Sequence, residues 1–179
     1  ITMIRGTVAD RQQYGAQAVE EIARSTAGAQ ALAGPVLFVP YSDRVVVVKA
    51  DTSGVQRPVE QVETGTWILF PESLEARGTL RSLPRMRGLH EVRVFELDIT
   101  QRALFRVKIP RDDDPATPRK IGEPRLGIGI RDVRGLVGVP SLHAAGAPRE
   151  LRQGLGHGGG SGLHAVLAAA LAISSSFRY

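Results

Sequence analysis

Apolar residues recur along this chain with two periods, and the period of two dominates. The helical period comes first. In Val8 to Ala27, Tyr14, Ala18 and Ile22 recur at i, i+4 and i+8 with Val19 beside them, the spacing of one helix face. Glu20 and Arg24 stand one turn apart in the favourable order, and Gly28 follows as a C-terminal stop. Gly15 weakens this helix by about 1 kcal/mol relative to alanine, so tertiary support is expected. Strand patterns follow. In QALAGPVLFVPY, Gln30 to Tyr41, a Gly-Pro break precedes an apolar run that closes on Pro40 and Tyr41. Val36 to Tyr41 and Arg44 to Lys49 flank Ser42-Asp43, which predicts a hairpin. Pro40 cannot donate a ladder hydrogen bond, so it predicts an edge or a bulge. Val45 to Val48 do not alternate, which predicts burial on both faces.

The rest of the chain reads as short strands and turns. Asp51 to Gly54 predicts a turn, and Trp67 to Phe70 a strand ended by Pro71. In Leu89 to Ile99, Val92 and Val94 share one parity while Phe95, Leu97 and Ile99 share the other. A β-bulge near Val94-Phe95 would keep both sets inward. Thr100-Gln101 predicts a turn, after which Ala103, Phe105, Val107 and Ile109 alternate with Arg102, Arg106 and Lys108. Arg111 to Glu123 is a polar loop, Leu126, Ile128 and Ile130 alternate again, and DVRG (Asp132 to Gly135) follows. Gly154 to Gly162 is a glycine-rich loop. Leu163 to Tyr179 stays open between helix and strand, its alanines favouring helix. The expected fold class is mainly antiparallel β, sandwich-like or a curved sheet, with one N-terminal α-helix.

Composition narrows the function classes. With 179 residues, 42% hydrophobic and 23% charged, the chain is long and apolar enough for a folded core. It has no cysteine, which excludes disulfides and cysteine-based zinc sites. The net charge of +5 raises nucleic acid as a partner. Arg81, Arg85, Arg87 and Arg93 form the densest basic group, but aromatics are 5% and do not interleave with them. A solvated basic face is therefore expected, and nucleic acid is not. No segment is apolar over the ~20 residues that cross a bilayer; Leu163 to Ile173 is too short. Ile1 to Val8 is broken by Arg5, is no signal peptide, and reads as the trailing end of a helix.

Motifs that suggest chemistry do not hold up. Gly154, Gly156 and Gly159 fit G-x-G-x-x-G, yet Pro148 to Gln153 does not read as a strand and no acid follows Glu150. Gly159 to Gly162 lacks the second glycine of a nucleophile elbow, since Leu163 stands there. His143, His157 and His164 lack zinc-ligand spacing, and Asp112-Asp113-Asp114 lacks the alternation of a calcium loop. No catalytic residue, metal or cofactor is expected. The binding candidates are Asp132 and Arg134 in DVRG, and Arg85, Arg87 and His90 around RGLHEV. Each has a plainer reading as well: Asp132 capping a turn, and the others solvating a strand end.

Taken in order, several segments resemble the CreD family, bacterial inner-membrane proteins described as cell-envelope integrity proteins. They are DRQQY (Asp10 to Tyr14), QALAGPVLFVPY, ILFPESLEARG (Ile68 to Gly78), RMRGLHEVRVFELDI (Arg85 to Ile99), LGIGIRDVRGL (Leu126 to Leu136) and GSGLHAVL. The resemblance implies an N-terminal transmembrane helix, a large extracytoplasmic domain and further helices near the C-terminus. Residues 1–28 would then be a helix following a truncated transmembrane segment, and 29–179 a β-rich extracytoplasmic domain incomplete at its C-terminus. The implied function is a non-enzymatic periplasmic module of an envelope-integrity and stress-response protein, binding a ligand or partner. Its partners would be the membrane-embedded remainder of the protein, envelope proteins or cell-wall fragments. The competing expectation is an envelope hydrolase with Ser141 or Ser161 near a histidine and a carboxylate.

Overall fold

A computed structural model of the chain describes residues 2–25, 27–50, 52, 54–88, 90–109, 118–167 and 172–178. The expected Asp112 to Asp114 loop tip and Leu89 lie outside the described residues. The element order is α1 (Thr2–Ser25), β1 (Leu32–Ala50), β2 (Gln56–Leu69), β3 (Ser73–Arg87), β4 (His90–Leu104), β5 (Lys120–Ile121), β6 (Arg125–Ile130), β7 (Ser141–Ala144), β8 (Ala147–Arg149), β9 (Arg152–Gln153), β10 (Gly162–Val166) and β11 (Ala172–Arg178). Two antiparallel sheets result. One runs β2-β1-β6-β10-β9 with β5 also on β1, and the other runs β3-β4-β11-β7-β8. Leu37, Val39, Leu126 and Ala165 of the first sheet share a core with Ala103, Phe105, Leu142 and Ala144 near or on the second. The expected mainly β, sandwich-like fold with one leading helix is the fold observed. No described helix is long and apolar enough to cross a membrane.

The strands are longer than their sequence pattern suggests. Ser42-Asp43 is no turn: β1 runs 19 residues through it, pairing Ser42 with Thr64 and Asp43 with Glu63. The hairpin turn falls between Ala50 and Gln56 instead. Thr100-Gln101 likewise lies within β4, and Gln101 is only 5% exposed. In both places polar residues sit in a ladder long enough to tolerate them. The Gly-Pro break is also internal. The register of β1 on β6 shifts between Ala33 and Pro35, so Gly34 is the extra residue of a bulge. Leu32 and Pro35 thereby both align with the buried face of Ile130 and Ile128. In the tail from Leu163 the described elements β10 and β11 are strands rather than helix, and each pairs on both edges; residues 168–171 lie outside the described residues.

Pro40 occupies neither an edge nor a bulge. It lies between the last β6 partner of β1, at Phe38, and the first β5 partner, at Tyr41. Its carbonyl accepts the Gly122 N–H at 2.8 Å, and its missing donor faces the same gap between partner strands. Val45 to Val48 are not buried on both faces: Val45 and Val47 are half-buried, while Val46 and Val48 are each 64% exposed. The β-bulge expected at Val94-Phe95 is absent, because β3 and β4 pair without interruption from Ser73/Leu104 to Arg87/His90. Val92 and Val94 are half-buried on one face, Leu97 and Ile99 on the other, and Phe95 is 63% exposed. The strong right-handed twist of a two-stranded ribbon changes which face meets cover along its length.

Two local devices hold the first sheet. Arg119 donates to both Asp43 oxygens, Nε–Oδ1 at 2.6 Å and Nη2–Oδ2 at 2.7 Å. Its guanidinium lies 4.9 Å from the Tyr41 ring centroid and 5.3 Å from that of Trp67, over two rings stacked at 4.3 Å. A Cβ at Gly65 would overlap the Tyr41 ring, so glycine there lets the stack form. The second device is the glycine-rich loop. His157 packs on Phe38 at 5.1 Å and His164 Nδ1 lies 2.9 Å from the Gly154 carbonyl oxygen. The loop thus covers the outer side of the β1–β6–β10 ladder.

Arg119 holds the Asp43 carboxyl below its ordinary range, first through its hydrogen bonds and also through its charge, against an opposing effect of burial. A lowered carboxylate pKa contributes stability above the unfolded value of ~3.9, and that contribution is lost as pH falls through the folded value. Asp43→Asn should therefore melt below the parent at pH 7, with the gap closing as the pH drops under ~4. A gap that stays constant in thermal melts across that range would exclude this linkage. At Gly127 a Cβ would meet the Leu155 carbonyl oxygen and the Phe38 ring, each at 2.6 Å. Gly127→Ala should lower unfolding free energy in urea titrations by about 1–3 kcal/mol, as overpacking does.

Candidate functional site

A concavity lies between α1 and the distal part of the β3–β4 ribbon. Among its described side chains, helix α1 buries Ala18 and Ile22 and leaves Tyr14 and Val19 exposed. It continues through Ala27 to Ala31 into β1, and Gly28 takes the left-handed conformation, φ +53°, that a helix end favours. The resulting groove has a volume of about 680 Å³. Its walls include Ile22, Leu32, Leu83, Val94 and Leu97, with Arg85, Arg93 and Glu96 among them. Both parities of β4 contribute, which follows from the ribbon twist described above.

The sequence candidates divide around this groove. Arg85 lies in its wall. Arg87 reaches the helix, its Nε donating to Glu21 Oε2 at 2.8 Å. His90 is paired with Arg87 across the strands, and its Nδ1 lies 3.9 Å from where a Cβ of Gly15 would stand. Gly15, a weak point of the helix by propensity, is thus where the ribbon tip approaches α1. Asp132 and Arg134 lie elsewhere, bordering an open polar hollow with Glu20, Arg24 and Arg131 beside the helix end. The two groups of candidates are not brought together in one site.

Asp132 and Arg134 form a structural clamp. Asp132 caps the short 3-10 turn Val133–Gly135, its Oδ1 accepting the Arg134 backbone N–H at 3.0 Å. The Arg134 guanidinium also donates to both Asp132 oxygens. The hydrogen bonds from Arg134 hold the Asp132 carboxyl below its ordinary range, and the pairing raises Arg134 in turn. Gln30, a residue that pattern reading passes over, ties this turn to the helix. Its Nε2 donates to the Ala27 and Asp132 carbonyls at 3.0 and 3.1 Å, and its Oε1 accepts the Asp132 N–H at 3.2 Å. A Cβ at Gly135 would come within 2.7 Å of Gln30 Nε2 and 2.9 Å of Ala27 Cβ. Gly135 is therefore required for close approach and lies in the groove wall itself. No local spacing signals its tie to the 3-10 turn, because Asp132 is 102 residues away from Gln30.

The serines and histidines of the hydrolase expectation fall on β7 and around the glycine-rich loop. Ser141 and His143 lie on the exposed side of β7. Ser161 offers its carbonyl to the Ile130 N–H at 3.1 Å, and His157 and His164 hold the glycine-rich loop. Among the described residues no three of His, Asp and Glu form a cluster that could hold a metal ion. The densest arginine group is largely opposed by acids: Arg81 faces Glu96 across the strands, Arg87 pairs with Glu21, and Arg93 lies 4.0 Å from Glu91.

Replacing Gln30 by alanine removes three hydrogen bonds at the junction of α1, β1 and the 3-10 turn. Gln30→Ala should destabilise the chain by about 1 kcal/mol, the net scale of such bonds. Hydrogen exchange at the Asp132 amide should accelerate; unchanged exchange would remove Gln30 as the brace.

The comparisons with known proteins agree with the ordered segments read above. The model of the family described as "Inner membrane protein CreD" matches residues 1–179. The Inner membrane protein CreD of Escherichia coli (strain K12) is 28% identical over 169 residues, covering 93% of this chain and 36% of that protein. The chain thus spans about a third of the length of the relative it matches. No solved structure matches it. Matched along all of its residues by the family model, the chain belongs to the CreD family of inner membrane proteins.

Proposed function

We propose that this chain is a non-catalytic, extracytoplasmic binding module of an inner membrane protein of the cell envelope, and that it binds at the groove beside α1. The observation that carries this reading is the groove itself. Its apolar wall is wetted at Val19, Leu80, Phe95 and Val137, residues that a protein with no partner there would tend to cover. Its rim is held by polar contacts from two directions, Arg87 to Glu21 on one side and Gln30 to Asp132 on the other. A braced, half-open apolar surface suits binding. The family's name, which states no reaction, fits a non-catalytic role. The family resemblance supports the extracytoplasmic side, with a β-rich domain entered from a leading helix.

The absence of native cysteine makes location directly testable. Val139 is 96% exposed, so Val139→Cys offers a single reporter thiol. In cells expressing the protein, with the outer membrane permeabilised, a membrane-impermeant maleimide should label it without lysis. Labelling that appears only after the inner membrane is broken would place the module on the cytoplasmic side. A photoreactive side chain in place of Phe95 should give adducts in living cells, while one in place of Arg152, outside the groove, should not. Equal adduct yields from the two positions would remove the groove as the binding surface.

A further inference from the structure

The groove is mostly apolar, with Arg85, Arg93 and Glu96 as the charged residues of its wall. Arg87 and Arg93 each have a carboxylate nearby, and Arg81 stands across from Glu96. Arg85 differs: its cross-strand neighbour is Val92, it is exposed, and no ion pair forms on it among the described residues. Its position in the groove wall places an unopposed guanidinium beside Leu83, Val92 and Val94. From Val92 the wall continues along β4 to Leu97, ~17 Å at ~3.3 Å per residue. There it meets Leu32 and Leu80. The concavity thus carries Arg85 at its Val92 end, and beyond it apolar side chains from both faces of β4 with Glu96 among them.

We propose that this groove binds a single-chain anionic amphiphile, with the acyl chain along the wall from Val92 to Leu97 and the anionic headgroup on Arg85. The inference rests on the groove being the module's binding surface, and adds the chemical class of what it holds. Three features favour this occupant. The volume of about 680 Å³ falls in the range of small-molecule sites and accommodates one long chain. A guanidinium is the side chain best shaped to take a carboxylate or phosphate through paired hydrogen bonds. The exposed Val19, Leu80 and Phe95 would be covered by the chain's methylenes, each removing apolar surface from water.

The test uses the purified chain without detergent and dansylaminoundecanoic acid as fluorescent probe. Palmitate and hexadecyl phosphate should displace the probe. Hexadecanol should be weaker by about tenfold, the scale of a hydrogen bond to a charged group. Arg85→Gln should abolish that discrimination while leaving the melting temperature in place, since the residue is exposed. Leu83→Trp, which fills the groove, should weaken all ligands, and Arg152→Gln on β9 should change nothing. Equal binding of the alcohol and the acids would overturn the proposal. So would discrimination that survives Arg85→Gln, or binding confined to phosphatidylglycerol vesicles. If an acidic amphipathic peptide displaces the probe and palmitate does not, the lipid assignment falls while the groove remains a binding surface. Photoadducts at Phe95 would then separate failure of the ligand class from failure of the groove.

Discussion

One inserted residue, Gly34, sets the phase on which the first sheet depends. Side chains in a strand alternate between faces, so an unbulged β1 would send either Leu32 or the set Pro35, Leu37 and Val39 outward. The bulge aligns both with the face of Leu126, Ile128 and Ile130, which is almost fully buried. Gly34 itself lies against Leu74 of β3, where a Cβ would approach within 2.7 Å. The same position therefore brings the start of the second sheet close to the first. From this alignment follow the shared core and the direction in which β1 leaves it.

Beyond the core, both hairpins run on as two-stranded ribbons, which are at best marginal in isolation. Each finds partial cover in a different way. The β1–β2 ribbon is held by Arg119, which joins Asp43 to the Tyr41–Trp67 stack. The β3–β4 ribbon is held by α1, through Ala18, Ile22 and the Arg87–Glu21 pair. Cover by a single helix is narrower than the ribbon, and the groove is what remains. The groove is thus a consequence of a long twisted ribbon crossing beneath one helix.

Much of this was legible along the chain. The fold class, the leading helix, the Gly28 stop and the alternation of Leu126, Ile128 and Ile130 follow from periodicity, because each depends on neighbours within a few residues. Ladder continuity was not legible. Ser42-Asp43 and Thr100-Gln101 have the composition of turns, yet each lies in a ladder held by partners far along the chain. The same reason explains the site. Arg85, Arg87, His90, Asp132 and Arg134 stood out as charged residues at strand ends, and all five lie near α1. Their division into groove wall, helix tie and clamp rests on Glu21 and Gln30, whose significance is entirely non-local.

The sequence alone determined which residues are apolar, where helix gives way to strand, and the ordered segments that mark the family. These are local properties, set by side-chain chemistry and by the two backbone periods. Tertiary structure decided which polar pairs interrupt a strand and which ride through it. It also turned the Gly-Pro break into a bulge and placed the Arg85 guanidinium in the wall of a mostly apolar groove. Those outcomes depend on pairing between distant segments and on ribbon twist, and neither is encoded within any single stretch of the chain.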